Sequence, residues 1–547
     1  MISDNILLAQ ELFAGYSQQR TPPRCAMKVD LRKAYDTVEW DFLLATLQLF
    51  GFPLTFIKWI EECVTTCSFS VCLNGNIHGF FGGARGLRQG DPMSPYLFVL
   101  VMEVLRMILQ QLIEQDEEFT FHWKCRDIGL FHLSFADDLL LFSSADEFSV
   151  GLFQRGLQVF AGLSGLCANP AKSQLIISKS AQPHRDQLLH LLGFQEGTLP
   201  VRYLGLPLIS SRLTLLDCQP LLQKIDKRIG TWVGIPLSFA ARVQLIKSVL
   251  MAFNVYWGST FILPKGVVRQ IEKWLRTFLW KGTMASGYAK VAWRIFCLPV
   301  EEGGQGIRDI QTLNYSLMCR RLWDIVVERS DSIWVKWIRH YRLRYYSVWT
   351  VNIRIGSWAW WKLIRLRILM EPHVEYLVGD GHSFSLWHDP WHSLGPLIHR
   401  FPRGPQVTGT GAHDSLDTVI LDGEWNWPPI TDFLCLEIVQ SLPSIGNRED
   451  CIRWRPTGGT MTSRDAYAML RPPGPMCLST VRRFVSFHWL SRGWEADILW
   501  ATRRWRGKHV VNAAYRTLLA SLVYHIWQER NGQRFQQIER PAAMLGG

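Results

Sequence analysis

The pattern of apolar and polar positions changes character along the chain. Up to about residue 210, helical periods alternate with short strand-like runs, and the spacing predicts helices over 5–15 and 40–50 and strands over 26–30 and 65–73. From about 211 to 300 only helical stripes remain, such as the apolar stripe over 271–279. The chain is therefore expected to begin as an α/β (α+β) mixture and to continue as a mostly helical module.

The second half is less regular. Gly-rich turns, Pro-rich stretches and a high density of Trp occupy 301–445, and the chain ends in a strongly periodic apolar helix over 515–527. A chain of 547 residues is too long for one ordinary core. We therefore predict four regions, which are listed here with their bounds: 1–210, 211–300, 301–445 and 446–547.

Composition restricts the class of protein. The apolar run over 96–113 contains Glu103 and Arg106, so we interpret it as a core helix and expect no membrane partner. The amino-terminal segment has no basic-then-apolar pattern and the twelve Cys are scattered, which favours an intracellular protein of the nucleus or cytoplasm that is not secreted. The net charge of +12 indicates nucleic acid as a partner, although a soluble basic protein fits the charge equally well.

Two adjacent carboxylates divide a double apolar run. The segment 131–143 reads FHLSFADDLLLFS, which predicts a buried β-hairpin with Asp137 and Asp138 at its turn. Asp is common in turns because its side chain bonds nearby backbone, so a hairpin without chemistry explains this segment alone equally well.

A third carboxylate follows another short strand. The segment 27–40 reads MKVDLRKAYDTVEW and places Asp30 at the carboxyl end of that strand, where it could also cap the next helix. Three carboxylates that meet at strand ends repel one another unless cations lie between them. That arrangement is typical of two-metal phosphoryl transfer, for which Mg²⁺ is the expected ion.

A Gly-containing loop leads into a helix over 85–98, which reads RGLRQGDPMSPYLF. Ser94 and Pro95 occupy the positions expected for a helix cap and a first helical residue. Gly90 allows backbone to approach a ligand closely, and Arg85 provides positive charge for a phosphate. An ordinary capped loop is the alternative interpretation.

These segments together resemble a known family. VDLRKAYD, GLRQGDPMSPYLF and FADD, in that order, are similar to the A, B and C blocks of non-LTR retrotransposon reverse transcriptases, especially the LINE-like elements of plants. ISDNILLAQE at 2–11, NPAKS at 169–173 and YLGLPL at 203–208 are similar to further blocks. The resemblance implies a right-hand polymerase palm with the FADD hairpin, a helical thumb-like region and a Trp-rich C-terminal region.

The same resemblance implies an RNA-directed DNA polymerase that uses an RNA template, a DNA primer and dNTPs. It assigns Asp30 and Asp137 to two Mg²⁺ ions, for which Mn²⁺ could substitute, with Asp138 beside them. Tyr35 matches the aromatic residue that rejects a 2′-hydroxyl, although a core Tyr is the alternative.

Three more positions follow from the resemblance. Gln89 and Gly90 match residues that touch the nucleotide and the template backbone. Lys172 matches a lysine that could protonate the leaving pyrophosphate, and a solvated surface lysine is nearly as good an interpretation.

The chain also departs from the family pattern. It starts at the segment that precedes the palm, without an endonuclease or fingers portion, so we expect impaired primer extension; the alternative is an inactive nucleic-acid-binding relic. The stretch over 454–470 is similar to a reverse-transcriptase zinc-binding region, but Cys451, Cys477, His488 and His525 lack zinc spacing, so no zinc is expected. The basic, aromatic cluster over 503–508 could bind single-stranded nucleic acid, and a solvated helix end is the alternative. The sequence does not indicate an oligomeric state.

Overall fold

The computed structural model divides the chain into two compact units, Met1–Arg212 with Leu322–Gly458 and Leu213–Arg321 with Gly459–Gly547. The predicted boundaries at 210, 300 and 445 stay predictions. The structure describes these residues: 2–209, 211–281, 291–302, 304–352, 356–428, 436–446 and 448–472. The helix over 515–527, the cluster over 503–508, Cys477, His488 and His525 lie outside them.

Helices and strands alternate over the first 208 residues, as predicted. The helices are α1 Ile2–Phe13, α2 Trp40–Leu49, α3 Leu54–Thr65, α4 Ser94–Glu114, α5 Glu147–Ser164 and α6 Arg185–Leu192. The strands are β1 Cys25–Val29, β2 Ser68–Leu73, β3 Asn76–Gly82, β4 His132–Phe135, β5 Asp138–Ser143, β6 Gln174–Ile177, β7 Gln195–Gly197, β8 Val201–Tyr203 and β9 Leu206–Leu208. The strand predicted over 65–73 begins only at Ser68, because α3 continues through Thr65.

A five-stranded sheet of order β4-β5-β1-β6-β7 forms the centre of this region. The middle strand β1 pairs antiparallel with β5 and with β6, and its last register pair with β5 joins Val29 to Leu139. Met27 and Val29 on one face are fully buried in a core shared with α2, α4, α5 and α6. Successive side chains of a strand point to opposite faces, so Lys28 and Asp30 lie on the other face.

That second face is covered only in part. Helix α1 packs on β4 and β9, and the amide of Gln10 donates to the carbonyl of Pro207 at 2.9 Å. The Lys28 ammonium donates to the carbonyl of Arg202 at 2.8 Å, which ties the β8–β9 hairpin to the middle strand. The end of the face that carries Asp30 and Asp138 stays half-buried.

Helix α4 is the apolar segment that the sequence placed in the core. By length and composition alone it would pass as a membrane span, and it is the one such helix among the described residues. Nine of its residues are buried, including Phe98, Val101 and Leu105 in the core of the sheet. This burial is typical of a core helix.

The Trp-rich stretch of the first unit is built around indole rings. Trp323, Trp337, Trp360, Trp387 and Trp454 are all fully buried. Its helices are α13 Ile333–Tyr341, α14 Trp358–Ile364, α15 Arg367–Met370, α16 Leu397–Arg400, α17 Gly404–Thr408 and α18 Leu436–Gln440. Its strands are β10 Val374–Leu377, β11 Ile420–Leu421, β12 Glu424–Trp425 and β13 Cys451–Trp454, with β10 paired to β13 and β11 to β12.

A buried polar cluster joins this stretch to α1. The Glu11 carboxylate accepts from Arg342 at 2.9 Å and from the Ser357 hydroxyl, and Glu11 is only 2% exposed. The Lys124 ammonium donates to the carbonyls of Glu11 and Ala14 at 2.6 and 2.9 Å. Breaking a buried ion pair leaves an uncompensated charge, which typically costs about 3–5 kcal/mol.

The second unit is helical in its described part. Its helices are α7 Gln219–Gly230, α8 Phe239–Leu245, α9 Met251–Gly258, α10 Lys265–Lys281, α11 Trp293–Phe296, α12 Ile310–Val326 (whose last turn belongs to the first unit) and α19 Ser463–Leu470, with a π-helical turn at Ile246–Leu250. Buried Asn314 satisfies three backbone groups, those of Gly258, Phe261 and Leu263. Helix α19 begins with a capping box formed by Thr462 and Asp465.

The buried Lys124 predicts a pH dependence of stability. Burial lowers the pKa of Lys124 from 10.5 to about 7. Between these values the unfolded chain keeps a proton that the folded chain has lost, so stability should rise with pH from about 7 towards 10 by about 1 kcal/mol per pH unit. Lys124→Met should lack this increment. Melting temperatures of both chains across this pH range measure the increment. Profiles of equal slope in the two chains would contradict the lowered pKa of Lys124.

Candidate active site

The three carboxylates predicted from the sequence come together at one end of the sheet. Asp138 is the first residue of β5, and Asp137 lies in the turn that follows Ala136, whose φ of 50° is left-handed. Continuing the antiparallel register one step beyond Val29 and Leu139 places Asp30 opposite Asp138. Asp137 is exposed, whereas Asp30 and Asp138 are half-buried.

The electrostatics of Asp138 reflect this proximity. Burial raises the pKa of the Asp138 carboxyl, the nearby Lys28 ammonium lowers it, and the negative charges of Asp137 and Asp30 raise it. Like charges that share one site disfavour ionisation of one another. The three carboxylates are thus close enough to interact, and Lys28 is a local cation that the sequence analysis did not identify.

The three carboxylates alone are not arranged as a complete set of metal ligands. Among the residues that the structure describes, no group of three His, Cys, Asp or Glu side chains is arranged to hold a metal ion. Their oxygens are nevertheless the hard donors that Mg²⁺ prefers, and Mg²⁺ commonly uses only one or two protein carboxylates beside water and phosphate. The chemistry of the donors therefore fits a divalent cation.

The backbone of Asp30 is held on both sides by the loop that contains NPAKS. The Asp30 amide donates to the hydroxyl of buried Ser173 at 3.0 Å, and the Asp30 carbonyl accepts from the Asn169 amide at 2.7 Å. One residue later, Leu31 bridges to Ala168. These contacts fix the position of the carboxylate, and the NPAKS block was the sequence signal that could have identified Ser173.

Tyr35 lies beside the carboxylates on a rigid support. Its ring stacks on buried Phe98 of α4, with centroids 4.7 Å apart and planes 20° apart. Burial raises the pKa of the Tyr35 hydroxyl, and the charge of Asp137 raises it further, which places Tyr35 near Asp137. A half-buried flat ring is thus presented next to the candidate metal-binding end of the sheet.

The loop between β3 and α4 is bonded to the turn that carries Tyr35. The Leu87 amide donates to the Tyr35 carbonyl at 2.6 Å and the Gly86 amide to the Val38 carbonyl at 2.7 Å. The Gln89 side-chain amide donates to the Asp36 carboxylate at 3.4 Å. Helix α4 includes Ser94, so Ser94 is not its cap; the cap is Met93, whose amide donates to the carboxylate of Asp91.

The two predicted cations, Arg85 and Lys172, differ in their ion pairing. Arg85 donates to Glu39 at 3.0 Å in an exposed ion pair, so its charge is already compensated. Exposed ion pairs are worth at most about 1 kcal/mol, so a phosphate could displace Glu39. Lys172 is exposed on the loop that holds Asp30 and makes no ion pair with any residue in the described part of the chain.

Gly86 and Gly90 provide a matched pair for a test. Both have left-handed φ values, 95° and 92°, so alanine is strained at either position. A Cβ on Gly86 would lie 2.7 Å from the Asp36 carbonyl oxygen, whereas a Cβ on Gly90 meets no atom within 4 Å. Gly86→Ala should therefore lower the free energy of unfolding by about 1–3 kcal/mol more than Gly90→Ala. Denaturant unfolding of both variants measures this difference. Equal losses of unfolding free energy would contradict the close approach of Gly86 to the Asp36 carbonyl.

Comparison with known proteins agrees with the site. Residues 3–208 match the family model described as reverse transcriptase (RNA-dependent DNA polymerase). The chain is 28% identical over 312 residues to an Arabidopsis thaliana protein provisionally named a ribonuclease H protein, covering 52% of this chain and 49% of that protein. It is 25% identical to the Xenopus laevis transposon TX1 149 kDa protein, covering 56% and 23% of the two chains.

A Pol polyprotein from a type-2 retrotransposable element of Drosophila melanogaster is 26% identical, over 54% of this chain and 28% of that protein. The telomerase structure from Candida albicans gives a TM-score of 0.32 at 12% identity, covering 52% and 51% of the two chains, too distant to support a conclusion. This chain spans half or less of the length of these curated relatives. Residues 3–208 thus match the reverse transcriptase family model, and the similar proteins include products of transposable elements.

Proposed function

We propose that the carboxylate end of the sheet catalyses nucleotidyl transfer from a dNTP to the 3′-hydroxyl of a DNA primer on an RNA template. The observation that carries this proposal is the meeting of Asp30, Asp137 and Asp138 at the ends of β1 and β5, inside the segment that matches the reverse transcriptase family. Two divalent ions bound there would stabilise the attacking and leaving oxygens of the transfer.

Different residues of this chain have different roles in the proposed reaction. Asp30, Asp137 and Asp138 would hold Mg²⁺, with Mn²⁺ as a substitute. Burial raises the pKa of Asp138 and the charges of Asp137 and Asp30 raise it further, so a cation bound there would stabilise the ionised carboxylates. The Asp30 amide donates to the Ser173 hydroxyl and the Asn169 amide donates to the Asp30 carbonyl, and both bonds keep Asp30 in place. Such preorganisation matters, because small misplacements at a reacting centre cost about a hundredfold in rate.

The nucleotide would lie against Tyr35 and the loop between β3 and α4. Gln89 and Gly90 face the Asp36 side of the site, and the open space beside Gly90 allows a backbone or a sugar to approach. Arg85 would exchange Glu39 for a phosphate oxygen, a charge-assisted bond of roughly 1.5–3 kcal/mol. Lys172, exposed and near Asp30 in the chain's fold, would protonate the departing pyrophosphate as a general acid.

We place the wider chain within a LINE-like element of plants. The block order and an Arabidopsis relative support this placement. The helical region over 211–300 would act as a thumb, and the segment over 454–470 would be a remnant of a zinc-binding region that has no zinc of its own. The alternative function, a nucleic-acid-binding relic without catalysis, differs from the proposal in one measurable property, which is nucleotide incorporation.

Primer extension tests the proposal. With Mg²⁺, a DNA primer on an RNA template and dNTPs, the chain should add nucleotides that the template dictates, at a rate that Asp30→Asn lowers at least about a hundredfold. Asp41→Asn removes an exposed carboxylate from α2 and serves as the matched control that should retain the rate. Binding of primer and template without template-dependent incorporation, equal in the parent and in Asp30→Asn, would refute the proposal and support the relic.

Sugar selection tests the role of Tyr35. Removing the ring in Tyr35→Ala opens space above Phe98, so ribonucleotides should be incorporated at least about tenfold more efficiently relative to dNTPs. Tyr35→Phe keeps the ring and should retain selection. Incorporation ratios for the three chains measure the effect. If Tyr35→Ala discriminates as well as the parent, Tyr35 is a core residue.

A further inference from the structure

One stretch of the Trp-rich region carries most of the chain's excess charge. Residues 332–370 contain eight Lys or Arg and no Asp or Glu, so this stretch contributes +8 to the net charge of +12. It also contains nine Trp or Tyr. A stretch in which cations and aromatic rings alternate without acids is typical of surfaces that bind nucleic acid.

Several of these groups serve the fold. Trp337 and Trp360 are fully buried, Arg342 pairs with Glu11, and Arg367 donates to the carbonyls of Val348 and Val351. Arg339 pairs with Glu328. These residues explain part of the pattern as core packing and leave a smaller exposed group to be explained.

The remaining group consists of cations that lie over aromatic rings, with Arg344, Tyr345 and Arg365 exposed and Trp361 and Lys362 half-buried. The Arg344 guanidinium lies over the Tyr345 ring at 5.5 Å from its centroid, and the Arg365 guanidinium lies over the Trp361 ring at 5.0 Å. The Lys362 ammonium also lies over Trp361, at 4.8 Å. Within the described part of the chain neither Arg344 nor Arg365 makes an ion pair, and both are exposed.

One carboxylate brings the two halves of this group together. Glu11 accepts from Arg342, two residues before Arg344, and from Ser357, the cap of α14, on which Trp361 lies. The two segments are therefore anchored on the same carboxylate, two residues before Arg344 and four residues before Trp361. Tyr345 and Tyr346 are 53% and 50% exposed, which leaves ring area open for stacking. We name Arg344, Tyr345, Trp361, Lys362 and Arg365 the connector patch.

We infer that the connector patch binds single-stranded nucleic acid, at a site separate from the candidate active site. Its cations neutralise phosphates, and its rings with their guanidinium partners offer flat faces on which bases stack, a combination that holds single strands with little sequence preference. An RNA template and a displaced DNA strand present the same chemistry. The inference goes beyond the proposed function, because binding at the patch requires no catalysis.

An anionic membrane is the main competing ligand. Ile368 and Leu369 are exposed beside the patch and could insert into a lipid surface. The placement of both guanidinium groups over aromatic rings favours nucleic acid instead, because a nucleotide offers a phosphate to the cation and a flat base to the ring. A vesicle arm in the experiment separates the two ligands.

The test uses the full chain and a fluorescent 20-nucleotide single strand, either RNA or DNA, without primer. The triple variant Arg344→Gln, Lys362→Gln, Arg365→Gln should bind about 10- to 100-fold more weakly at 100 mM salt, and the slope of log affinity against log salt should fall by about 2. Tyr345→Leu should weaken binding severalfold with the slope unchanged, since stacking releases no counterions. RNA and DNA arms show which strand binds more tightly.

The matched control removes the same charge elsewhere on the first unit. Arg20→Gln, Lys58→Gln, Lys179→Gln changes three exposed cations outside the patch and should lower affinity less than threefold. Asp30→Asn should bind as the parent does, so failure of the proposed catalysis leaves this inference intact. Melting temperatures identify any variant that fails to fold. The double variant Arg344→Lys with Arg365→Lys then replaces that variant, and it should keep the salt dependence of the parent chain. Equal losses in both triple variants, or tighter binding of phosphatidylserine vesicles than of either strand, would overturn the inference.

Discussion

The site depends on the antiparallel register between β1 and β5. Each backbone hydrogen bond of this pair is modest, but the register places Asp30 opposite Asp138 and the FADD turn directly beyond them. A slip of one residue would turn Asp30 towards the core face, where Met27 and Val29 pack. The hydrophobic core therefore fixes the positions of Asp30 and Asp138. Their mutual repulsion is tolerated because this end of the sheet is only half-buried.

The hairpin and its position could be predicted from the sequence because their signals are local. Alternating apolar runs around Asp137, and a short strand before Asp30, indicate elements whose ends carry carboxylates. The order of strands is a different matter. That β1 lies between β5 and β6 follows from contacts between residues more than a hundred positions apart, which no local pattern indicates.

Other features had no local signal at all. The pairing of Arg85 with Glu39 joins residues 46 positions apart, and its effect on the expected phosphate contact becomes visible only in the fold. Lys28 looked like an ordinary strand residue, yet it lowers the pKa of Asp138. Likewise, Glu11 meets Arg342 across 331 positions, so the attachment of the Trp-rich stretch to α1 could not be predicted from periodicity.

That attachment extends the compact unit beyond the segment that matches the reverse transcriptase family model. The family match ends at residue 208, but the buried cluster of Glu11, Lys124, Arg342 and Ser357 makes residues from 322 to 458 part of the same compact unit. Truncation after the match would leave the Glu11 carboxylate without Arg342 and Ser357, and the Lys124 carbonyl without the Trp337 indole. The Trp-rich stretch thus supports the helix that covers the sheet, and it presents a basic, aromatic surface of its own.

The central claim is that the three carboxylates bind divalent cations at the end of β1 and β5. Electron paramagnetic resonance of Mn²⁺ titrated into the full chain tests it directly, because free Mn²⁺ gives a signal that protein-bound Mn²⁺ loses. The account predicts saturable binding of at least one Mn²⁺ that Asp137→Asn weakens at least about tenfold, equivalent to about 1.4 kcal/mol, while Asp41→Asn has no effect. Equal Mn²⁺ affinity in the parent and Asp137→Asn, or no saturable binding in either, would contradict it.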